Sequence, residues 1–103
     1  MVIMAKTFEQ IVNDIDSHLE KSKKQYYSDF YIGITNDVNR RLFGEHNVPK
    51  DNSWWIYRQA VDKDTAQKVE EYYLNKGMQG DTGGGTEETL FVYCYAITSS
   101  TIE

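Results

Sequence analysis

Between residues 7 and 23, Phe8, Ile11, Val12, Ile15 and Leu19 recur at three- and four-residue intervals and so share one face of a helix. Thr7 and Gln10 stand where a capping box needs them, each side chain placed to take the other's backbone N–H. The stretch YYSDFYIGI then changes to a period of two. Phe30, Ile32 and Ile34 fall on one face of a strand, and Tyr31, Gly33 and Thr35 on the other. Asn36 is placed to cap a second helix running to about Gly44, NVPKDN reads as a loop, and SWWIYRQAV as a second, aromatic-rich strand. Asp62 or Asp64 caps a third helix, which stops at Gly77 as a C-terminal glycine allows. GMQGDTGGGTEE reads as a mobile glycine-rich connector. TLFVYCYAIT is the most uniformly apolar strand, which marks a central place in the sheet.

The order α-β-α-β-α-β predicts an α+β fold, a small antiparallel three-stranded sheet flanked by helices. With 103 residues the chain has enough material for one core and one domain, spanning residues 1–103. The net charge of −5 argues against a general nucleic-acid binder, because non-specific affinity comes from basic groups that displace counterions. The acids are unevenly spread, however. Residues 31–76 balance seven Lys/Arg against seven Asp/Glu, whereas residues 77–103 hold four acids and no base, so the middle of the chain remains a candidate binding region. A lone cysteine, Cys94, cannot form an internal disulfide, and no Cys/His pair has zinc-ligand spacing; both suit a reducing cytoplasm. The start MVIMAKTFEQ lacks the apolar run of a signal peptide. No apolar run approaches transmembrane length, so no membrane partner is expected.

Three places carry groups that plain structure does not require. On β-strand spacing Tyr31 and Gly33 share a face, and a glycine two residues from a tyrosine leaves a notch beside the phenol that a phosphate or another backbone could enter. The alternative is a tyrosine on a half-exposed strand, with the glycine there for helix packing. Arg41 lies on the same helical turn as Val38 and Leu42, at the edge of the buried stripe, where a guanidinium offers a bidentate fork for phosphate. As an ordinary surface residue it would instead pair with Glu45 at i, i+4. His46 follows the helix end, near Arg41. In the third helix, Glu70 falls inside the apolar stripe of Ala66, Val69, Tyr73 and Leu74, while Glu71 points away. A carboxylate there is costly unless it is paired, with Arg41 for example, or bound to a metal. One carboxylate with open water positions suits Mg²⁺. GDTGGG is not a phosphate-binding P-loop, because no Gly-Lys-Ser/Thr follows and no strand precedes it.

Taken together, YIGITNDVNRRLFGEHN resembles the second signature of the GIY-YIG nucleases: a Tyr-x-Gly strand, a short turn, an Arg-bearing helix and a His. TAQKVEEYYLNKG resembles their later helix with its single metal-binding Glu. The resemblance covers residues 30 to 77. It implies that Tyr31 is the signature tyrosine near the attacking water, Arg41 the holder of the scissile phosphate, His46 a group near the nucleophile or leaving oxygen, and Glu70 the sole protein ligand of Mg²⁺ or Mn²⁺. The chain departs from the family in three ways. The Gly-Ile-Tyr strand that normally precedes is replaced by an amphipathic helix, GDTGGG occupies the region where members tend to carry an Asn, and His46 lies one residue further from Arg41 than in many members. In the family the missing strand lies mid-sheet, so residues 89–98 are expected to fill that slot as a circular permutation. FVY would stand in for Gly-Ile-Tyr and bring Tyr93 beside Tyr31, with Cys94 on the opposite face.

The implied activity is that of a small metal-dependent endonuclease hydrolysing DNA, with Tyr31, Arg41, His46 and Tyr93 catalytic, Glu70 on the metal, and Gly33, Arg40, Lys50 and Arg58 contacting the nucleic acid. The alternative is a non-catalytic module of the same fold that binds nucleic acid or a protein. With one site per chain, cutting both strands takes successive nicks, a homodimer or a larger assembly.

Overall fold

A computed structural model describes residues 5–24, 26–51, 53–80 and 89–103. The connector at 81–88, with most of GDTGGG, lies outside the described residues. Helix α1 (Phe8–Leu19) begins at the expected capping box, in which Thr7 Oγ1 accepts the Gln10 N–H and the Gln10 side chain accepts the Thr7 N–H. It ends at Leu19 rather than 23, because EKSKK offers no apolar residue to continue the stripe. His18 and Trp54 lock that end: Trp54 Nε1 donates to the His18 carbonyl, and the His18 ring bonds the Trp55 carbonyl. After a single 3₁₀ turn at Tyr27–Asp29, strand β1 (Phe30–Thr35) starts four residues later than its aromatic run.

A π-helix (Asn39–Glu45) follows, then β2 (Trp55–Gln59), α2 (Lys63–Lys76) and β3 (Phe91–Ala96). Asp37, not Asn36, caps the π-helix by accepting the Arg40 N–H at 3.1 Å, since Thr35 Oγ1 already takes the Asp37 N–H and turns the chain there. Asp62 caps α2 through the Thr65 N–H, and Gly77 closes it at φ +113°, a left-handed conformation that glycine adopts without strain.

The sheet is antiparallel with order β1-β3-β2. The C-terminal strand is therefore central, as its unbroken apolar run and the permuted arrangement both required. Gln79 pairs with the outer edge of β1, taking the Ile32 N–H and donating to the Phe30 carbonyl, so that edge is closed by backbone.

Period-2 alternation gives the sheet two unlike faces. Phe30 and Ile32, Ile56, and Val92, Cys94 and Ala96 pack under α1 and α2, whose Ile11, Ile15, Ala66, Val69 and Tyr73 complete the main core. Tyr31, Tyr93 and Tyr95 point the other way and pack with Leu42 and Val48 from the π-helix and its exit. No helix among the described residues is long and apolar enough to cross a membrane.

Candidate active site

The second face holds Tyr31, Gly33 and Tyr93, with Arg41 and His46 brought to it by the π-helix. Gly33 and Tyr93 are cross-strand partners, as are Tyr31 and Tyr95. Four positions on one face therefore converge from two strands, and the three phenols stack: the Tyr31 ring lies 5.2 Å from that of Tyr95 and 6.3 Å from that of Tyr93, within 17° of parallel in each case. The notch left by Gly33 is filled by Tyr93, not held open for a phosphate. A methyl group on Gly33 would run into the Tyr93 ring and hydroxyl. Gly33 thus acts on the site by admitting a tyrosine, and contacting nucleic acid is not the work its surroundings give it.

His46 closes the cluster from the π-helix side. Its ring sits 4.6 Å from Tyr31 and 4.9 Å from Tyr95, and only 2% of the residue is exposed. The helix type explains the placement. His46 N–H donates to the Arg41 carbonyl five residues back at 2.9 Å, and the wider winding puts residue i+5 above residue i. The same winding lets two arginines reach one acid: Arg41 bonds Glu45 at 2.5 Å across four residues and Arg40 bonds it at 2.8 Å across five.

Hydrogen bonds fix the proton positions. The Ile102 carbonyl, which can only accept, lies 2.6 Å from His46 Nδ1, so Nδ1 carries the hydrogen. Nε2 is then the acceptor, and Tyr93 Oη, 2.7 Å away, donates to it. Tyr95 Oη sits 2.9 Å from Nδ1 and shares the Ile102 carbonyl. Burial holds His46 below its ordinary pKa, and the charge of Arg41 adds to that against the pull of the Ile102 carbonyl, so the neutral ring is the favoured form. Burial pushes the Tyr93 phenol up, while Arg41 favours its ionised form. Glu70 bears on the same phenol with the opposite sign. Arg41 itself is held fully charged, chiefly by its bond to Glu45.

Glu70 is 5% exposed, within the buried stripe of α2 as expected, and its charge reaches Tyr93 from that helix. Among the described residues no three His, Cys, Asp or Glu side chains group around one point. Glu70 is one carboxylate, the donor type from which Mg²⁺ takes one or two protein ligands, and it is largely buried.

Tyr31, Arg41, His46 and Tyr93 come together, then, and Glu70 acts on them from α2. Arg40 lies alongside, bonded to Glu45 and to Asn36 Oδ1. Lys50 stands 5.1 Å over the Phe43 ring, on the same side of the sheet. Arg58 does not join them. Period 2 turns it to the α1 face, where Asp14 Oδ2 takes its Nε–H at 2.9 Å. Tyr95 and the Ile102 carbonyl belong to the cluster although the sequence did not single them out. Tyr95 shares the parity of Tyr93, a signal that was present, whereas nothing in a side-chain pattern marks a backbone carbonyl. The fold and cluster define a small α+β domain with a buried Tyr–His relay beside an arginine. Comparison of the chain with family models, with curated proteins and with solved structures gave no match.

Proposed function

We propose that this domain is a metal-dependent endonuclease that hydrolyses DNA phosphodiester bonds. The observation that supports it most is the directed hydrogen-bond relay, in which Tyr93 donates to His46 Nε2 and His46 Nδ1 donates to Ile102. Burial favours the protonated phenol and the neutral imidazole, so Tyr93 passes its proton to His46 Nε2 only as it takes one from water, and the guanidinium of Arg41 favours the transient phenolate. Tyr93 Oη accepts that proton from the water that attacks phosphorus, and Tyr31, stacked alongside, orients that water. As the phosphorus–ester oxygen bond breaks, the leaving oxygen takes a proton from solvent, His46 returns the proton it received through Tyr93 to solvent, and Arg41, having exchanged Glu45 for the phosphate, stabilises charge on the non-bridging oxygens. Glu70 would hold a divalent ion, which supplies Lewis-acid stabilisation of that charge when bound.

The test is nicking of supercoiled plasmid with Mg²⁺ or Mn²⁺. Glu70→Ala should abolish it, and Arg41→Ala should slow it on the order of a hundredfold or more, as loss of one preorganised donor does. Little change in melting should accompany Arg41→Ala, because its ion pair is with the exposed Glu45. The earlier alternative, that Arg41 exists to neutralise a buried Glu70, instead requires a large drop in melting temperature in that variant.

One observation favours the second reading, a non-catalytic module. Glu45 already occupies the Arg41 fork, and a phosphate has to compete with it. No nicking by wild type with any divalent ion, combined with retained DNA binding, would select that module.

A further inference from the structure

The aromatic face does not stop at the buried cluster. Tyr57 is the cross-strand neighbour of Tyr93 on the side away from Gly33, so one row of the sheet runs from Gly33 through Tyr93 to Tyr57. There the rings become accessible. Tyr57 is 42% exposed and stacks within 9° of parallel on Trp55, at 6.2 Å between centroids. Phe43 meets Trp55 edge-on at 4.9 Å, and Phe91 meets Tyr57 at 67°. These rings, with Asn36 and Lys50, line a groove of about 410 Å³. Trp55 is fixed in place by donating its indole N–H to the Lys50 carbonyl.

The groove wall carries one cation, Lys50, whose ammonium lies over Phe43; Arg40, beside the wall, bonds the Asn36 side chain and shares its guanidinium with Glu45. The wall's one carboxylate, Asp37, is engaged by the Arg40 backbone N–H as a helix cap. An occupant that presents flat apolar faces on an anionic backbone matches this surface. A protein helix would offer neither the flat faces nor the regular anions, and a paired DNA base has both faces already stacked on its neighbours.

We propose that the groove binds an unpaired nucleobase of a DNA strand, stacked on Tyr57 and Trp55, and so delivers the adjoining phosphate to Arg41. This rests on the nucleic-acid reading of the neighbouring cluster and names its substrate class: DNA with a single-stranded or unpaired stretch. The overall acidity of the chain fits, since stacking supplies affinity that does not depend on basic charge.

The measurement is fluorescence anisotropy with the whole chain in a chelating buffer, where no cleavage occurs. Three labelled probes are compared: a short single-stranded DNA, a hairpin duplex of the same bases, and an abasic strand with the same number of phosphates. The single strand should bind about tenfold or more tightly than the abasic one, the loss of stacking on one or two rings. Tyr57→Ala should remove that advantage while leaving the abasic probe unchanged, and Tyr57→Phe should keep it. Equal binding of normal and abasic strands would overturn the proposal, as would a preference for duplex, an unaltered affinity in Tyr57→Ala, or no binding of any strand. Stacking without nicking would leave the groove standing and sink the hydrolytic reading; nicking without stacking would do the reverse.

Discussion

The two faces of the sheet come from the same three strands and differ in almost every respect. Toward α1 and α2, β3 sends Val92, Cys94 and Ala96 into a mainly apolar core, where the Tyr73 hydroxyl is the buried polar group and finds the Val12 carbonyl and Asp16. Even the Cys94 thiol is held protonated there by burial. Toward the π-helix the same strand sends Tyr93 and Tyr95, each of which must find a partner for a buried hydroxyl. The aliphatic face is free to repack; the aromatic face is tied to one arrangement by directed bonds. The difference teaches how one strand can serve two kinds of packing in so small a domain, with a mainly apolar face under the helices, where Glu70 and Tyr73 are the buried polar exceptions, and a tyrosine–histidine network on the other side.

The comparison breaks most readily on the aliphatic side. Ile15→Ala, at a site 1% exposed in α1, should cost about 2–5 kcal/mol in urea unfolding. Oligonucleotide affinity well below the melting temperature should be unchanged; a parallel loss of affinity would mean the faces are not separable.

A smaller effect tests the aromatic side. Gly33→Ala drives a methyl group into Tyr93, and overpacking of that kind costs about 1–3 kcal/mol. Combined with Tyr93→Ala the two changes should be strongly non-additive, because removing the ring removes the clash. Additive losses would show that Gly33 is needed for something other than that tyrosine.

The smallest effect is pH dependence. His46 has its folded pKa below the unfolded value of about 6.5, so the unfolded chain takes up a proton first as pH falls. Stability should therefore decline from about pH 6.5 downward, until pH passes the folded pKa. His46→Gln should flatten part of that decline. His18, also held low by burial, accounts for a further part, and Asp14, Glu45 and Asp62, whose pKa values are depressed, add losses only at more acidic pH. An unaltered profile in His46→Gln would remove His46 from the set of buried neutral groups.

Much of this arrangement was legible in the chain. The capping box at Thr7, the helix stop at Gly77, the central place of β3 and the opposite facing of Tyr93 and Cys94 follow from local rules that tertiary contacts did not override. Glu70 was legible as well, because an acid in an apolar stripe contradicts its own helix. What was hidden depended on contacts between distant segments. The filling of the Gly33 notch needs the register of β1 on β3, and that register appears nowhere within either strand. Arg58 was misplaced for a plainer reason: its charge was weighed without the parity that turns it toward Asp14. The π-helix hid behind an ordinary helical pattern, since one added residue shifts Arg41 and His46 without altering which positions are apolar.

The strand order also bears on how the chain reaches this state. β1 and β2 do not pair with each other; Gly33 and Tyr57 both wait for Tyr93. Until the last strand of the sheet is made and docked there is no sheet at all, only helices and two extended segments without ladder partners. Each pairing spans a long loop, whose closure entropy has to be overcome before any ladder bond forms, so formation is a late, concerted event and slow for a domain of this size. During synthesis the two aromatic-rich segments are the ones left waiting, with unpaired edges open to other chains. Tyr93, which joins the buried hydrogen-bond network to both flanking strands, is thus also the residue whose arrival turns a string of parts into a fold.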